Sequence, residues 1–218
     1  MKSLTENTYS NLTAKLKEEH QKSYSGWLQY ERFEDTAIVH EYQKWCGNIH
    51  ILGNSLVIDS AKKELQAGIS SMLGVQPGIK NEAMKSGGIY LGTKDTIDPA
   101  VDVDFTQLND DGYVIKCLTV DQQSRVYLIG KKDVGALYAA FHLLRLMQNR
   151  EDLRERTIVE NPKNKMRMIN HWDNMDGSIE RGYAGKSIFY KDNKLTLDID
   201  RITDYARLIA SVGINGIS

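Results

Sequence analysis

Cysteine is almost missing from this chain. Its 218 residues include two, Cys46 and Cys117, too few and too far apart for a disulfide framework or a thiolate metal site. Two buried thiols are expected instead. The histidines at 20, 40, 50, 142 and 171 show no metal-ligand spacing among themselves. An excess of either charge is missing too: 28 Lys and Arg against 29 Asp and Glu leave a net charge of -1. That balance gives no electrostatic basis for binding nucleic acid or an anionic membrane surface. No apolar run approaches the ~20 residues that span a bilayer. The opening MKSLTENTYSNLTAKLKEEH lacks the uninterrupted apolar core of a signal peptide. As written it suits a cytoplasmic protein; a signal removed ahead of it would make the protein periplasmic or secreted. What is present is ordinary for a globular chain, 41% apolar and 26% charged. The length suits one large domain or two smaller ones.

Residues 1–25 are polar and rich in Lys and Glu, and read as a frayed helix or arm leading to the apolar anchor Trp27-Leu28-Tyr30. From Gly47 the pattern sharpens. Ile49, Ile51, Leu56, Val57 and Ile58 form a strand-like run interrupted by Gly53-Asn54. Ser60 is expected to cap a helix over about 61–73, where Leu65, Ile69, Met72 and Leu73 recur at helical spacing. Gly74 stops it, Pro77-Gly78 marks a loop, and a short strand follows over Gly88–Gly92. Asp111-Gly112 then opens a strand through Tyr113, Ile115 and Leu118. A tight turn at Asp121–Ser124 returns it through Val126, Leu128 and Ile129, which predicts a β-hairpin. A helix over 132–148 carries Val134, Leu137, Tyr138 and Phe141 on one stripe. Residues 47–150 therefore read strand–helix–strand–strand–helix, an α+β layer with helices over one sheet face. Asp98, Asp102 and Asp104 lack the glycine-and-glutamate frame of an EF-hand and read as a solvated loop.

The charge-dense stretch EDLRERTIVENPKNK reads as a linker. It divides an accessory domain (1–155) from a second domain starting at 166, with the linker itself at 156–165. Beyond it come the apolar residues Met166, Met168 and Ile169, a long loop, and a helix over about 200–211 with Ile202, Tyr205, Ala206 and Ile209 on one face. A new apolar run starts at Ile214-Asn215-Gly216-Ile217. Strand, loop, helix and next strand make the first βα unit of a parallel α/β fold. A (β/α)8 barrel needs roughly 250 residues, so 166–218 would supply only its beginning and the chain is expected to be a fragment. Barrel strands without neighbours expose unpaired edges, so residues after about 165 are expected to be poorly ordered or to pair with another chain.

The loop opens with His171, Trp172, Asp173, Asn174 and Asp176, at a strand's carboxyl end, where barrel enzymes build their sites. Trp172 offers a flat apolar face that the C–H groups of a sugar can cover. Asp173 and Asp176 could accept hydrogen bonds from hydroxyls or orient Arg181. As an acid/base couple they are disfavoured, because neighbours on one loop seldom straddle a scissile bond. Glu180-Arg181 could form an ion pair that shapes the loop. Gly177, Gly182 and Gly185 match no phosphate or dinucleotide fingerprint, and Lys186-Ser187 lacks the rest of a P-loop. A triad of Ser178, His171 and Asp173 has no nucleophile-elbow context.

The run NHWDNMDGSIERGYAGKSIFY, Asn170 to Tyr190, closely resembles the signature that opens the catalytic barrel of the α-glucuronidases of glycoside hydrolase family 67. Gly112-Tyr113, Ile129-Gly130 and Gly135-x-x-Tyr138 resemble the βαββα accessory domain preceding that barrel in this family and its hexosaminidase-like relatives. The resemblance implies removal of glucuronic acid, or its 4-O-methyl ether, from the end of xylo-oligosaccharides. It implies inversion, without metal or cofactor, and with no nucleic-acid or membrane partner. The general acid, the general base and the basic residues holding the uronate come from later strands in the family, downstream of Ser218 here. This chain alone is therefore expected to be inactive. By the same resemblance Trp172 packs on the uronic acid with Asp173 beside it as a substrate contact. His171, Asn174, Asp176, Glu180 and Arg181 would support the pocket wall. The alternatives are a stand-alone carbohydrate-binding module, disfavoured because residues 47–150 contain no Trp, and a purely structural α+β domain contributing to folding or to contacts of a homodimer.

Overall fold

A computed structural model describes residues 28–81, 86–196 and 198–218; the expected arm and the Trp27 end of its anchor lie outside them. The first helix, α1 (Thr36–Cys46), is capped by Asp35, whose carboxylate accepts from the Ala37 N–H. It leads into β1 (Asn48–Leu52) and α2 (Leu56–Leu73). Short strands β2 (Gly78–Lys80) and β3 (Gly88–Thr93) precede the hairpin β4 (Tyr113–Val120) and β5 (Gln123–Gly130). Then come α3 (Asp133–Gln148) and β6 (Thr157–Glu160). These strands form one sheet in the order β2-β1-β3-β5-β4-β6. β2, β1, β3 and β5 run parallel, and β4 runs antiparallel to both of its neighbours.

The expected α+β layer is present, with the hairpin and both long helices in place. All three helices share one side of the sheet. Ile49, Ile51, Ile89, Leu91, Ile115 and Leu128 meet Trp45, Leu65, Ile69, Met72, Leu143 and Leu144 in a single buried cluster. Side chains alternate across a strand, so Tyr90, Tyr127 and Ile129 face the other way. There the long segment between β3 and β4 covers them with Ile97 and Val101. Asp98, Asp102 and Asp104 are exposed on that segment's outer side, as a solvated loop requires.

Two local expectations fail for identifiable reasons. Leu56, Val57 and Ile58 are the first turn of α2, not a strand, because the cap is Ser55, whose hydroxyl accepts from the Ile58 N–H at 3.2 Å. Ser60 lies inside the helix and donates to the Leu56 carbonyl at 2.9 Å. A short apolar run cannot be assigned by periodicity alone. In α3 the expected stripe does face the core: Tyr138 and Phe141 are buried, and the half-buried Val134 and Leu137 pack against the buried cluster. The stretch read as a linker contains β6, whose register pairs Val159 with Val114 and Ile158 with Ile115 at the sheet edge.

One junction explains two of the glycines singled out in the sequence. A Cβ on Gly130 would stand 2.2 Å from the Lys132 carbonyl oxygen and 2.3 Å from the Ala136 nitrogen. One on Gly135 would stand 2.4 Å from the Gly112 oxygen. The end of β5, the start of β4 and the first turn of α3 touch through backbone, and only glycine permits that approach.

The remaining chain is built differently. β7 (Met168–Ile169) pairs in parallel with β10 (Gly216–Ile217), so the two strands flanking the last helix close one edge on each other. Between them lie a small hairpin, β8 (Tyr190–Lys191) and β9 (Lys194–Leu195), and α4 (Ile199–Ser211). Asp198 caps α4 by accepting from the Arg201 N–H at 3.0 Å. No residue of α4 is buried. Charged clamps join this part to α2 and to the segment just ahead of β4. Arg207 on α4 binds Glu64 on α2 through two bonds of 2.8 and 2.9 Å, and Glu64 also accepts from the Tyr30 hydroxyl at 2.6 Å. Arg167 donates to Asp111 at 2.5 Å and lies 5.7 Å from the Tyr138 ring centroid.

Candidate functional site

The loop that follows β7 begins as a continuation of the strand. The His171 N–H donates to the Ser218 carbonyl at 3.0 Å, and Ser218 N–H donates to the Ile169 carbonyl at 3.1 Å. Asp173 and Ile179 form a further antiparallel bridge. In such an extended segment successive side chains point to opposite sides. His171 and Asp173 accordingly turn inward, with side chains 20% and 5% exposed, while Trp172 between them is 59% exposed.

Beneath the loop, the His171 Nε2 lies 2.5 Å from the Tyr205 hydroxyl on α4. The rings of His171, Phe189 and Tyr205 meet edge to face, with centroids 5.2, 5.2 and 6.3 Å apart. His171, Asp173, Ile179, Lys186, Ile188, Arg201, Tyr205 and Leu208 line a cavity of about 240 Å3. Neither carboxylate oxygen of Asp173 has a hydrogen-bond partner; the His171 Nδ1 stands 3.4 Å from its Oδ1. Burial, with the negative charge of Asp173 behind it, pushes the Tyr205 phenol above its ordinary pKa.

The rest of the cluster shapes the loop. The Asn174 side-chain amide donates to the Ser178 hydroxyl at 2.9 Å and to the Glu180 carbonyl at 2.8 Å. Asp176 accepts from the Ser178 backbone and hydroxyl at 2.8 and 2.7 Å, bonds that lower its pKa below the usual carboxylate value. Glu180 sits at φ +56 with its N–H bonded to the Trp172 carbonyl at 2.7 Å. The anticipated Glu180–Arg181 ion pair is not formed. Glu180 instead meets the Tyr183 hydroxyl, raising the Tyr183 pKa, and Arg181 is exposed. Nor does Asp173 or Asp176 hold Arg181.

The structure thus brings His171, Asp173 and Tyr205 together and separates Trp172 from all three. Tyr205 was visible in the sequence only as one apolar-stripe residue of a helix; no local signal ties it to a loop 34 positions earlier. Among the described residues no group of three or more His, Cys, Asp or Glu is placed to hold a metal ion. No helix among them is long and apolar enough to cross a membrane.

Known proteins resemble this chain along nearly its whole length. It is 34% identical over 198 residues to α-glucuronidase A of Aspergillus tubingensis, covering 89% of this chain and 23% of that protein. Against the α-glucuronidase of Hypocrea jecorina it is 33% identical over 205 residues, covering 88% and 24%. The chain therefore spans about a quarter of the length of these relatives. Among solved structures, a GH115 4-O-methyl-α-glucuronidase with specificity for decorated arabinogalactans superposes with TM-score 0.58 at 13% identity, over 79% of this chain and 25% of that one. A GH138 enzyme targeting pectin rhamnogalacturonan II gives TM-score 0.52 at 16% identity, over 78% and 18%; both likenesses concern the fold. The model for the glycosyl hydrolase family 67 N-terminus matches residues 26–143, and the model for that family's middle domain matches residues 146–218. The chain belongs to glycosyl hydrolase family 67.

Proposed function

We propose that this chain is the accessory domain and the opening βα unit of the (β/α)8 catalytic domain of an inverting α-glucuronidase. That enzyme would remove glucuronic acid or its 4-O-methyl ether from xylo-oligosaccharides. The accessory domain is taken as residues 1–155, and the connection 156–165 contributes β6 to its sheet. The barrel begins at 166. The observation that carries the reading is Trp172, a large aromatic 59% exposed at the carboxyl end of a strand in a parallel β–α–β unit. Barrel enzymes place substrate contacts at that end, and an exposed indole face suits a sugar ring.

In this reading Trp172 touches the uronic acid. His171, Asn174, Asp176, Glu180 and Arg181 belong to the wall and its supports, and Asp173, with its carboxylate covered, acts from behind. Acid and base come from later strands, and so do the neighbours that would complete the open edges of β7 and β10. The chain by itself is accordingly not a catalyst. The test is a titration of the 218-residue chain with a xylo-oligosaccharide ending in glucuronic acid, alongside activity of a chain carrying the complete barrel. Trp172→Ala should raise KM by about tenfold, the loss of one stacking contact. Sugar binding by the short chain that survives Trp172→Ala would replace this reading with a carbohydrate-binding accessory domain. An unchanged KM in the long chain would remove Trp172 from the pocket.

A further inference from the structure

Asp173 is a buried carboxyl group with no evident task. An ionised carboxylate kept from water is strongly unfavourable unless a donor faces it. Both its oxygens lack a hydrogen-bond partner, and a side chain 5% exposed leaves a bound sugar no direct route to them. Lys186 and Arg201 line the same cavity, and the imidazole of His171 stands beside the carboxylate, its Nδ1 3.4 Å from Oδ1. A small rotation of the ring would bring that contact into hydrogen-bond range.

The other ring nitrogen, Nε2, lies 2.5 Å from the Tyr205 hydroxyl. An ionised carboxylate can only accept, so the nitrogen facing Asp173 is the one that must carry a proton, which leaves Nε2 to accept from the phenol. The single proton of a neutral imidazole then sits on Nδ1, facing Asp173. Tyr205 is held in turn, because α4 is clamped to α2 by Arg207 and Glu64.

We propose that Asp173, His171 and Tyr205 form a positioning relay that grips the backbone on both sides of Trp172 and thereby fixes the direction in which its indole is presented. The inference rests on the reading of Trp172 as the sugar platform. Asp173 and Tyr205 are positioning residues and touch no substrate. The relay also explains why the residues flanking the platform are polar although they point inward. Apolar side chains in those places would fill the cavity of about 240 Å3 but would fix no orientation.

The test is the tautomer of His171 in the 218-residue chain labelled with 15N-histidine, read at about pH 8, well above the ordinary histidine pKa of about 6.5. Its resonances are identified by their loss in His171→Gln. The expected result is a single Nδ1–H tautomer, converted by Tyr205→Phe and by Asp173→Asn to the Nε2–H form or a mixture. An Nε2–H ring in the parent chain, or a tautomer indifferent to both substitutions, overturns the relay. A second measurement uses 19F-labelled tryptophan, with the Trp172 signal assigned by Trp172→Phe. Tyr205→Phe should shift that signal and leave Trp45, inside the accessory core, unmoved. Movement of both, or of neither, counts against a positioning role. Neither measurement involves sugar, so a relay that passes beside a Trp172 that binds none sinks the proposed function alone.

Discussion

Residues 28–160 and residues 161–218 are held by different forces. Every buried hydrophobic side chain among the described residues, from Tyr42 to Leu153, lies in the first region. The second has none, and it leaves Trp172, Met175, Tyr183 and Ile199 between 59% and 72% exposed. Beside the edge-to-face rings of His171, Phe189 and Tyr205, it carries directional polar bonds: Arg207 to Glu64, Arg167 to Asp111, and His171 to Tyr205. Each such bond contributes about 1 kcal/mol net, or somewhat more where charge is involved, whereas fully burying one Leu or Ile contributes ~1.5–3 kcal/mol. The lesson is a division of labour: burial supplies stability in one region, and polar bonds anchored to it supply geometry in the other.

The largest expected effect that would sharpen this contrast is at the backbone junction of the first region. Gly130→Ala places a methyl against backbone atoms that cannot move singly and should cost about 4 kcal/mol or more, an exceptional value for one substitution. Denaturant unfolding would show it, and a cost near 1 kcal/mol would mean the junction is looser than described. Next comes the clamp between the regions. Arg207→Ala leaves the carboxylate of Glu64 buried beside Tyr30 alone. It should cost about 2–3 kcal/mol, toward the low end for a broken buried pair because Arg207 is partly exposed. Adding Glu64→Gln should recover part of that loss, and amide exchange should rise selectively in 199–218.

A smaller effect depends on pH. Burial, then the charges of Arg145 and Arg156, lower the His142 pKa from 6.5 to about 4, beside a Tyr113 hydroxyl 2.9 Å away. The unfolded chain takes up this proton near 6.5 and the folded one near 4. The stability due to His142 is therefore fully present above 6.5 and declines as pH falls through that window. Unfolding curves from pH 7 to 4 should show the decline, and His142→Gln should flatten it. The smallest effect belongs to the site. Trp172→Ala should change stability by less than about 0.5 kcal/mol, as exposed substitutions generally do. A large loss would show that the indole is a packing residue and would erase the contrast.

Much of the first region was legible because periodic burial leaves a periodic pattern. Tyr113, Ile115, Val126 and Leu128 announced the hairpin, and Leu65, Ile69 and Met72 the helix beneath it. Two pieces escaped for opposite reasons. Thr157–Glu160 is an edge strand of half-buried and exposed residues, so its composition is that of a linker. Ile97 and Val101 cover the second sheet face from an irregular loop, where no period exists to read. In the site, Trp172 and its polar neighbours stood out by composition, but their grouping did not. The alternation of the segment sends Asp173 away from Trp172 and toward Tyr205.

The sequence by itself determined the family, the α+β layer and the hairpin. Those properties depend on residue order over short spans. Only the tertiary structure decided that β7 and β10 pair, that Glu64 meets Arg207, and that Asp173 is covered while Trp172 is exposed. Contacts between residues tens to over a hundred positions apart are fixed by how elements stack, and a linear pattern carries no term for that.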